Sequence, residues 1–362
     1  MVQVYEKVTP PRWASKSTHP NDIHFFQRPL SCITVLSPHS LTYFVHLLCL
    51  SQNAVVEPPG CVILAVSARA GYTRWRRQHR FASRCCSYLG LLPNLTIELT
   101  SYQDPPQSGY LPNHNINPTK SLAISWKNTY NNLEVFYAKP LVYTPSGSAN
   151  ELVITVSNQN IVRVIDGVTG KLIISRTLAP PFQAVDTSCG DIPNTIGITG
   201  TPIIDGSTGI MYLFSKGYQG GATGSGTLKG EYKFYAINIP SLTDVSGFPV
   251  IIDGHYANND HTRYFLGGTV LQRPSLAEIG NTVVGAFGGH CDNFNYTGML
   301  VAVSKTKGVG VTNIQAMEAS PGAPTPQALN YLTQGGGKAG IWQSGMGLAA
   351  DTTANRVFFV TG

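Results

Sequence analysis

The sequence predicts an all-β protein made of short antiparallel strands, and three observations lead to this prediction. Glycine and proline are abundant, at 37 and 24 of 362 residues, so long uninterrupted helices are not expected. A turn pattern, Ile-Asp-Gly-x-Thr-Gly, occurs at residues 165–170 and again at 204–209, each time between short apolar runs. Only 12% of the residues are charged. This composition excludes a coiled coil, a helical solenoid and an acidic disordered tail.

Each copy of the turn pattern predicts a β-hairpin. Asp166 and Asp205 can hydrogen-bond to their own backbone, and the glycines tolerate a positive φ. The first turn joins the apolar runs 161–165 and 171–175, and the second joins 202–204 and 210–214. Both hairpins are therefore predicted from local residues alone.

A proline opens an apolar strand at three places, Pro140, Pro202 and Pro274, the second of which belongs to the second hairpin. After a polar turn, a second strand follows each of them. A fourth hairpin, without the proline, lies at the end of the sequence. The second strands are predicted at 152–156, 210–214 and 282–287, and the fourth hairpin at 345–350 with 357–360. These hairpins begin at nearly regular intervals.

A second pair of strands fits into each interval between these hairpins. The pairs are predicted at 161–165 with 171–174, 232–237 with 249–252, and 299–303 with 312–316. Four antiparallel strands per unit are typical of a β-propeller blade, and the innermost strand tolerates proline because one of its edges is unpaired. The fold class is therefore an incomplete β-propeller of about three and a half blades. A β-sandwich is the alternative, but it does not explain the recurring proline.

The beginning of the chain has a different composition. Residues 1–90 hold 10 Lys and Arg against 3 Asp and Glu, five of the seven cysteines, and only 3 of the 37 glycines. We therefore predict an unassigned basic segment at 1–95, disordered or an artefact of the gene model, and a propeller domain at 96–362. Residues 41–50 have the length and apolarity of a signal-peptide core, although they lie far from the start. No clear membrane span is predicted.

Three motifs have a functional and a plainer interpretation. The basic cluster at 74–84, with Trp75, could bind nucleic acid, but a solvated basic run is preferred, so a nucleic-acid partner is not expected. Cys85 and Cys86 are adjacent and lack zinc-site spacing. The glycine-rich loop 217–230 lacks the full nucleotide-binding spacing and joins two predicted strands. None of the three predicts a ligand.

From about residue 100 the chain resembles the PQQ-like, or quinoprotein-type, β-propeller family, whose repeats carry a D-x-x-T-G-K turn. Residues 166–171 (Asp-Gly-Val-Thr-Gly-Lys) match this turn, and residues 197–205, 288–293 and 341–345 resemble a secreted branch seen in fungi and bacteria. Ile174 stands where the family usually has a tryptophan that docks one blade on the next. Complete propellers of the family have about eight blades. The resemblance implies that the chain is a fragment, or that it closes by self-association.

One end of the propeller is predicted to carry the ligand face. Loops that enter the first strand of a blade and leave its second strand lie at the same end, because the two strands form a hairpin. Propeller ligands commonly bind at this channel mouth, and the partner there is an unknown small molecule or protein. The candidate ligand-face residues are Asp191, Arg273, His290, Asp292, Trp342 and Gln343.

These side chains have alternative roles. His290 and Asp292 could be a base and its orienting carboxylate, or they could satisfy backbone groups in a tight loop. Arg273 could bind an anion, or form a salt bridge with Asp191 or Asp292. Trp342 could stack on a ligand, or pack between blades.

Two further patterns concern metals and secretion. The irregular spacing of the possible donors Asp253, His255, Asp260 and His261 predicts no metal site. Cys189 and Cys291 fall at the same end of adjacent blades, so a disulfide is expected if the chain enters an oxidising compartment. Asn94 and Asn295 begin glycosylation triplets. An extracellular, secreted protein is the localisation that these features favour.

The predicted function is an extracellular binding or interaction module without an established catalytic set. The alternative is a PQQ-dependent quinoprotein oxidoreductase acting on alcohols or sugars, in which the quinone takes a hydride beside a carboxylate base. PQQ and calcium are cofactors only under this alternative. The resemblance implies that an aromatic side chain, an arginine and carboxylates would hold the quinone. The calcium ligands and catalytic Asp of the family have no residue-by-residue match here.

Overall fold

A computed structural model describes residues 104, 105, 107, 123–294, 296–317, 339–343 and 346–362, with the backbone of two short strands nearer the start. The chain divides into two compact units, one of residues 9–93 and the other of residues 1–8 and 94–362. In the first unit, β1 (Leu30–Ser31) pairs antiparallel with β2 (His46–Leu47). The predicted boundary after residue 95 stays a prediction.

The second unit contains three successive antiparallel sheets with four strand positions each, followed by a two-stranded one. Blade 1 comprises β3 (Leu141–Tyr143), β4 (Leu152–Val156), β5 (Ile161–Asp166) and β6 (Leu172–Thr177). A small pair, β7 (Phe182–Gln183) and β8 (Thr195–Ile196), precedes blade 2, which comprises β9 (Ile203–Asp205), β10 (Ile210–Tyr218), β11 (Gly230–Asn238) and β12 (Val250–Ile251).

A second small pair, β13 (Tyr256–Ala257) and β14 (Asp260–Tyr264), precedes blade 3. Blade 3 comprises β15 (Val270–Gln272), β16 (Ala277–Ile279), β17 (Thr282–Gly289), β18 (Met299–Ser304) and β19 (Val311–Ala316). The half-blade comprises β20 (Ala349–Asp351) and β21 (Arg356–Phe358).

These sheets confirm the predicted fold class, an all-β propeller of three and a half four-stranded blades. The helical elements of the described residues are three short 3₁₀ turns, at Ala184–Thr187, Gln219–Gly221 and Thr227–Lys229. None of the helices in this part of the chain has the length and apolarity that crossing a membrane requires.

Strand β10 is longer than its sequence pattern predicts. The polar residues Ser215 and Lys216 ended the predicted strand at Phe214, yet all nine residues of β10 pair with β11. Both polar side chains are buried. The strand continues because the ladder and the neighbouring blade supply partners for these groups, which local polarity does not reveal.

The inner strand of blade 3 is broken at Pro274. Its two pieces, β15 and β16, both pair with β17, so Gln272 lies opposite Phe287 and Ala277 opposite Val284. The four residues 273–276 therefore stand against two residues of β17. The strand predicted to open at Pro274 begins only at Ala277, so its predicted start was wrong. Proline has no N–H for the ladder, and the break releases Arg273 from strand pairing.

Hydrogen bonds beside the prolines join the inner strands of successive blades. In blade 1, the N–H of Lys139 donates to Oγ1 of Thr201 in blade 2 at 2.9 Å. The carbonyl of Thr201 accepts from Leu276 of blade 3 at 3.2 Å, and Ser275 donates to the carbonyl of Met346 beside the half-blade at 3.1 Å. The inner edges are thus linked in chain order, as expected for blades around a common axis.

Apolar side chains fill the space between adjacent blades. Ile154 and Leu213 belong to one cluster between blades 1 and 2. Phe214 of blade 2 meets Phe287 of blade 3 edge to face, with ring centroids 5.3 Å apart. Blade 3 packs on the half-blade through another cluster, which includes Leu348. Burial of these faces stabilises the blade stack.

Trp126 docks on the D-x-x-T-G-K turn of blade 1. Its indole N–H donates to the carbonyl of Gly167 at 2.8 Å, and a Cβ added at Gly170 would lie 2.6 Å from the indole ring. Gly170 also has a φ of 72°, which favours glycine. The turn therefore receives a tryptophan from upstream, although Ile174 occupies the position where the family resemblance implies one.

Candidate functional site

The loop between β7 and β8 and the loop after β17 meet at the predicted ligand face. Cys189 and Cys291 are joined there by a disulfide, with Cα atoms 5.7 Å apart. Asn293 adds a second link, because its side-chain amide donates to the carbonyl of Ser188 at 2.9 Å. The two loops, which are about a hundred residues apart in sequence, are thereby held together.

Asp191 and Asp292 are exposed beside this disulfide. Oδ1 of Asp191 accepts the backbone N–H of Ile192 at 2.9 Å, and Oδ1 of Asp292 accepts the Tyr296 hydroxyl at 2.8 Å. The Asp191 carboxylate and the two cysteine sulfurs lie within 4.8 Å of one another. The sulfurs are bonded to each other and offer no thiolate, so this group does not form a metal site.

His290 lies beneath the face and is fully buried. Its Nε2 is 2.8 Å from Nζ of Lys216, and its Nδ1 has no hydrogen-bond partner among the described residues. The imidazole therefore makes no hydrogen bond to Asp292, which a base with an orienting carboxylate would require. His290 does not belong to the solvent-facing part of the site.

Lys216 is equally buried, and sequence reasoning missed it. Its Nζ donates to the carbonyl of Val270 at 2.9 Å and lies 4.4 Å from the ring centre of Phe182. Burial lowers the pKa of Lys216 well below its ordinary value, against the opposing effect of Asp253 and Asp191. Burial, and then the neighbouring Lys216, likewise lower the pKa of His290. The signal in the sequence that could have identified Lys216 is a single lysine within a largely apolar strand.

Arg273 is half-buried in the break between β15 and β16. Its guanidinium lies 5.0 Å from the ring centre of Tyr137, and Nη1 donates to the carbonyl of Thr199 at 3.4 Å. No acidic residue in the described ranges pairs with it, so the salt bridge to Asp191 or Asp292 is not formed. Burial lowers the pKa of Arg273, although Tyr137 and Asp191 oppose this effect.

Trp342 packs against β17 of blade 3. A Cβ added at Gly288 would lie 2.7 Å from the indole, so the close approach depends on this glycine. Trp342 and Tyr137 both pack against one buried apolar cluster. Its members are Phe182, Ala184, Ile192, Ile196, Tyr218 and Leu271.

Gln343 holds a turn beside Trp342. Its backbone carbonyl accepts the N–H of Met346 at 2.7 Å, and its Oε1 accepts the N–H of Val360 at 3.4 Å. Its φ of 46° is left-handed. Both contacts stabilise the turn and leave Gln343 no role toward a ligand.

The solvent-facing part of the site therefore consists of Arg273, Tyr137 and Trp342, with Asp191 nearby. Sequence reasoning missed Tyr137.

The other possible metal donors do not assemble. Asp253 accepts the backbone N–H groups of Tyr232 and Gly267, and burial raises its pKa to about 7. Asp260 accepts from Thr262, and in the described part of the chain these donors form no cluster with His255 or His261. The glycine-rich loop joins β10 to β11, as predicted.

Several predicted features lie outside the described residues. They are the basic cluster 74–84, Cys85, Cys86, Asn94, Asn295, and residues 41–50 apart from the backbone of His46–Leu47.

A cavity of about 520 Å³ lies beside the half-blade, away from the residues described above. Pro105, Asp351 and Phe358 contribute to its lining, and none of the predicted ligand-face residues does. The cavity and the predicted ligand face are therefore different parts of the surface.

Comparison with known proteins does not assign a family. No protein-family model and no curated protein matches the chain. Solved structures with similarity include BamB from Moraxella catarrhalis (14% identity, 55% of this chain and 44% of that chain, TM-score 0.32). A quinohemoprotein alcohol dehydrogenase from Comamonas testosteroni has 11% identity over 51% of this chain and 31% of that chain, with a TM-score of 0.30.

The Cps50 (Swd1) β-propeller domain from Myceliophteria thermophila has 13% identity, 50% and 45% coverage, and a TM-score of 0.25. The chain thus spans less than half the length of each of these three proteins. TM-scores of this size carry no argument about activity.

Proposed function

We propose that this chain belongs to the PQQ-like β-propeller repeat family and acts outside the cell as a binding or interaction module. The D-x-x-T-G-K turn at residues 166–171 and the successive four-stranded blades support the family. The observation that carries the function is the half-buried guanidinium of Arg273, which lies over Tyr137 without an acidic partner in the described residues. A charge held this way is costly to the fold and suited to a ligand.

The alternative is a PQQ-dependent oxidoreductase, which has less support. Calcium takes six to eight oxygen ligands. On this face Asp186 and Asp292 accept hydrogen bonds from the hydroxyls of Tyr218 and Tyr296, and no three carboxylate or imidazole groups of the described residues converge. The residues present do not fit a calcium ion, so we derive no step through the quinone.

An oxidising compartment is part of the proposal. The disulfide between Cys189 and Cys291 supports secretion, because such bonds persist outside the cytosol. Peptide mapping of the natural protein without reductant should recover the two cysteines in one linked pair of peptides. Recovery of both as free thiols would remove this support.

A cofactor assay separates the two functions. The full chain is incubated with PQQ and Ca²⁺, and both equilibrium binding of PQQ and dye reduction are measured across a panel of alcohols and sugars. A quinoprotein dehydrogenase serves as the positive control. We expect neither saturable PQQ binding nor dye reduction. Substrate-dependent dye reduction by this chain would overturn the binding-module proposal.

A further inference from the structure

We propose that the face around Arg273 binds a carboxylate carried by an apolar group. The carboxylate belongs either to a free small acid or to the C-terminus of a polypeptide, which share this chemistry. The inference rests on the proposed function and names the class of its ligand. It depends on three side chains that can donate hydrogen bonds, an apolar cluster and a nearby acidic residue.

Arg273 supplies the charge and most of the donors. A guanidinium has five N–H groups in a planar fork that matches a carboxylate in two parallel hydrogen bonds. In the described residues its one hydrogen bond is the 3.4 Å contact with the Thr199 carbonyl. Arg273 also lies outside the strand ladder, at the break beside Pro274. The fork therefore projects from the break between β15 and β16, and most of its N–H groups have no partner among the described residues.

Tyr137 and Trp342 each add a hydrogen-bond donor and bring no negative charge that would oppose an anion. The Tyr137 hydroxyl and the Trp342 indole N–H make no hydrogen bond within the described part of the chain, and neither is enclosed in the interior. Both rings pack against the apolar cluster that contains Phe182 and Leu271. A surface that combines donors with apolar rings matches a ligand that has acceptor oxygens and an apolar body.

Asp191 limits the charge of the ligand. Its carboxylate acts on both Arg273 and Tyr137, yet it does not pair with the guanidinium. A second negative charge near Asp191 would be repelled. A singly charged carboxylate is therefore favoured over a doubly charged phosphate.

The test uses matched probes that differ in charge. Benzoate and benzamide have nearly the same shape, and acetyl-Gly-Phe is compared with its C-terminal amide; binding to the full chain is measured by calorimetry. We expect each acid to bind about tenfold or more tightly than its amide, as expected for a charge-assisted contact. Binding should weaken with salt. Preference for benzoate indicates a free acid, and preference for the peptide acid indicates a polypeptide C-terminus.

Variants locate the site. Arg273→Gln should weaken acid binding about tenfold or more, whereas Arg273→Lys, which keeps the charge but loses the fork, should have a smaller effect. Arg176→Gln is the matched control. Arg176 lies on the outer strand β6 of blade 1, and its guanidinium pairs with Asp244. Binding by this variant should equal that of the parent chain.

Three results would overturn the inference. They are equal binding of acid and amide, no binding of any acid, or unchanged binding by a folded Arg273→Gln chain. If that variant does not fold, the acid and amide pairs on the parent chain and the Arg273→Lys chain decide. None of these results affects the dye-reduction assay, which tests the proposed function separately.

Discussion

Nζ of Lys216 lies 2.8 Å from Nε2 of His290, and neither side chain reaches solvent. Lys216 belongs to β10 of blade 2 and also donates to the carbonyl of Val270 in β15 of blade 3, while His290 follows β17 of the same blade. A lysine ammonium can donate to Nε2 only when the imidazole is neutral there. The pair therefore joins two blades through a histidine that carries no charge.

This pair predicts a pH effect on stability. Burial and Lys216 hold the pKa of His290 below 6.5, so the unfolded chain binds more protons below that pH. The free energy of unfolding contributed by this group should fall as the pH drops from about 6.5 towards about 5. Asp253, with a pKa raised to about 7, acts in the opposite direction, so the variant must be compared with the parent.

The measurement is the urea midpoint of the parent and of His290→Gln at several pH values in this range. The loss of stability on acidification should be smaller in the variant. His255→Gln, at an exposed histidine, serves as the control and should follow the parent. Identical slopes for the parent and His290→Gln would contradict the prediction.

The buried pair of Arg163 and Glu134 predicts a strong coupling. Nη1 and Nη2 of Arg163 contact Oε1 and Oε2 of Glu134 at 2.5 and 2.8 Å, and Tyr130 covers the guanidinium at 4.0 Å. Glu134→Ala should cost about 3 kcal/mol because it leaves a buried charge uncompensated. Adding Arg163→Met should recover part of this loss. A double-mutant cycle by chemical denaturation tests the coupling, and additive losses would refute it.

Docking of Trp126 predicts a graded loss of stability. Trp126→Ala removes the ring that covers Gly170 and should cost about 2 kcal/mol. Trp126→Phe keeps most of the packing but loses the hydrogen bond to Gly167, so its cost should be about 1 kcal/mol. Urea midpoints measure both. Equal costs for the two variants would show that ring packing does not contribute.

The disulfide predicts sensitivity to reductant. Cys189 and Cys291 are 102 residues apart, so their bond restricts a large loop of the unfolded chain. Replacing both by serine should cost about 2 to 4 kcal/mol. Denaturation midpoints are measured with and without reductant. The parent should lose stability on reduction, whereas the double-serine variant should not change; an unchanged parent midpoint would argue against the bond.

Local residues were enough to predict most strands of the blades. In the first turn, Oδ1 of Asp166 accepts the N–H of Thr169 at 2.7 Å, and in the second, Oδ1 of Asp205 accepts the N–H of Ser207 at 3.0 Å. These contacts span three residues or fewer, so each turn forms from its own sequence. Repetition of such hairpins then predicted the blades.

The same locality explains where the predictions were wrong or incomplete. The polar residues Ser215 and Lys216 ended the predicted strand too early, because the groups that contact Lys216 lie in another blade. The break at Pro274 left Arg273 outside a strand because the register of β15 and β16 is set by β17. Both differences depend on pairing that short windows do not contain.

The sequence by itself determined the all-β class, the hairpins and the approximate number of blades, because turn chemistry and strand periodicity are local. The tertiary structure alone decided that His290 is buried against Lys216, that Arg273 lies over Tyr137, and that Trp126 reaches the first turn. These residues are distant in the chain. They meet only when the blades stack and their apolar faces leave water, and that packing decides which polar groups are buried and which stay exposed to solvent.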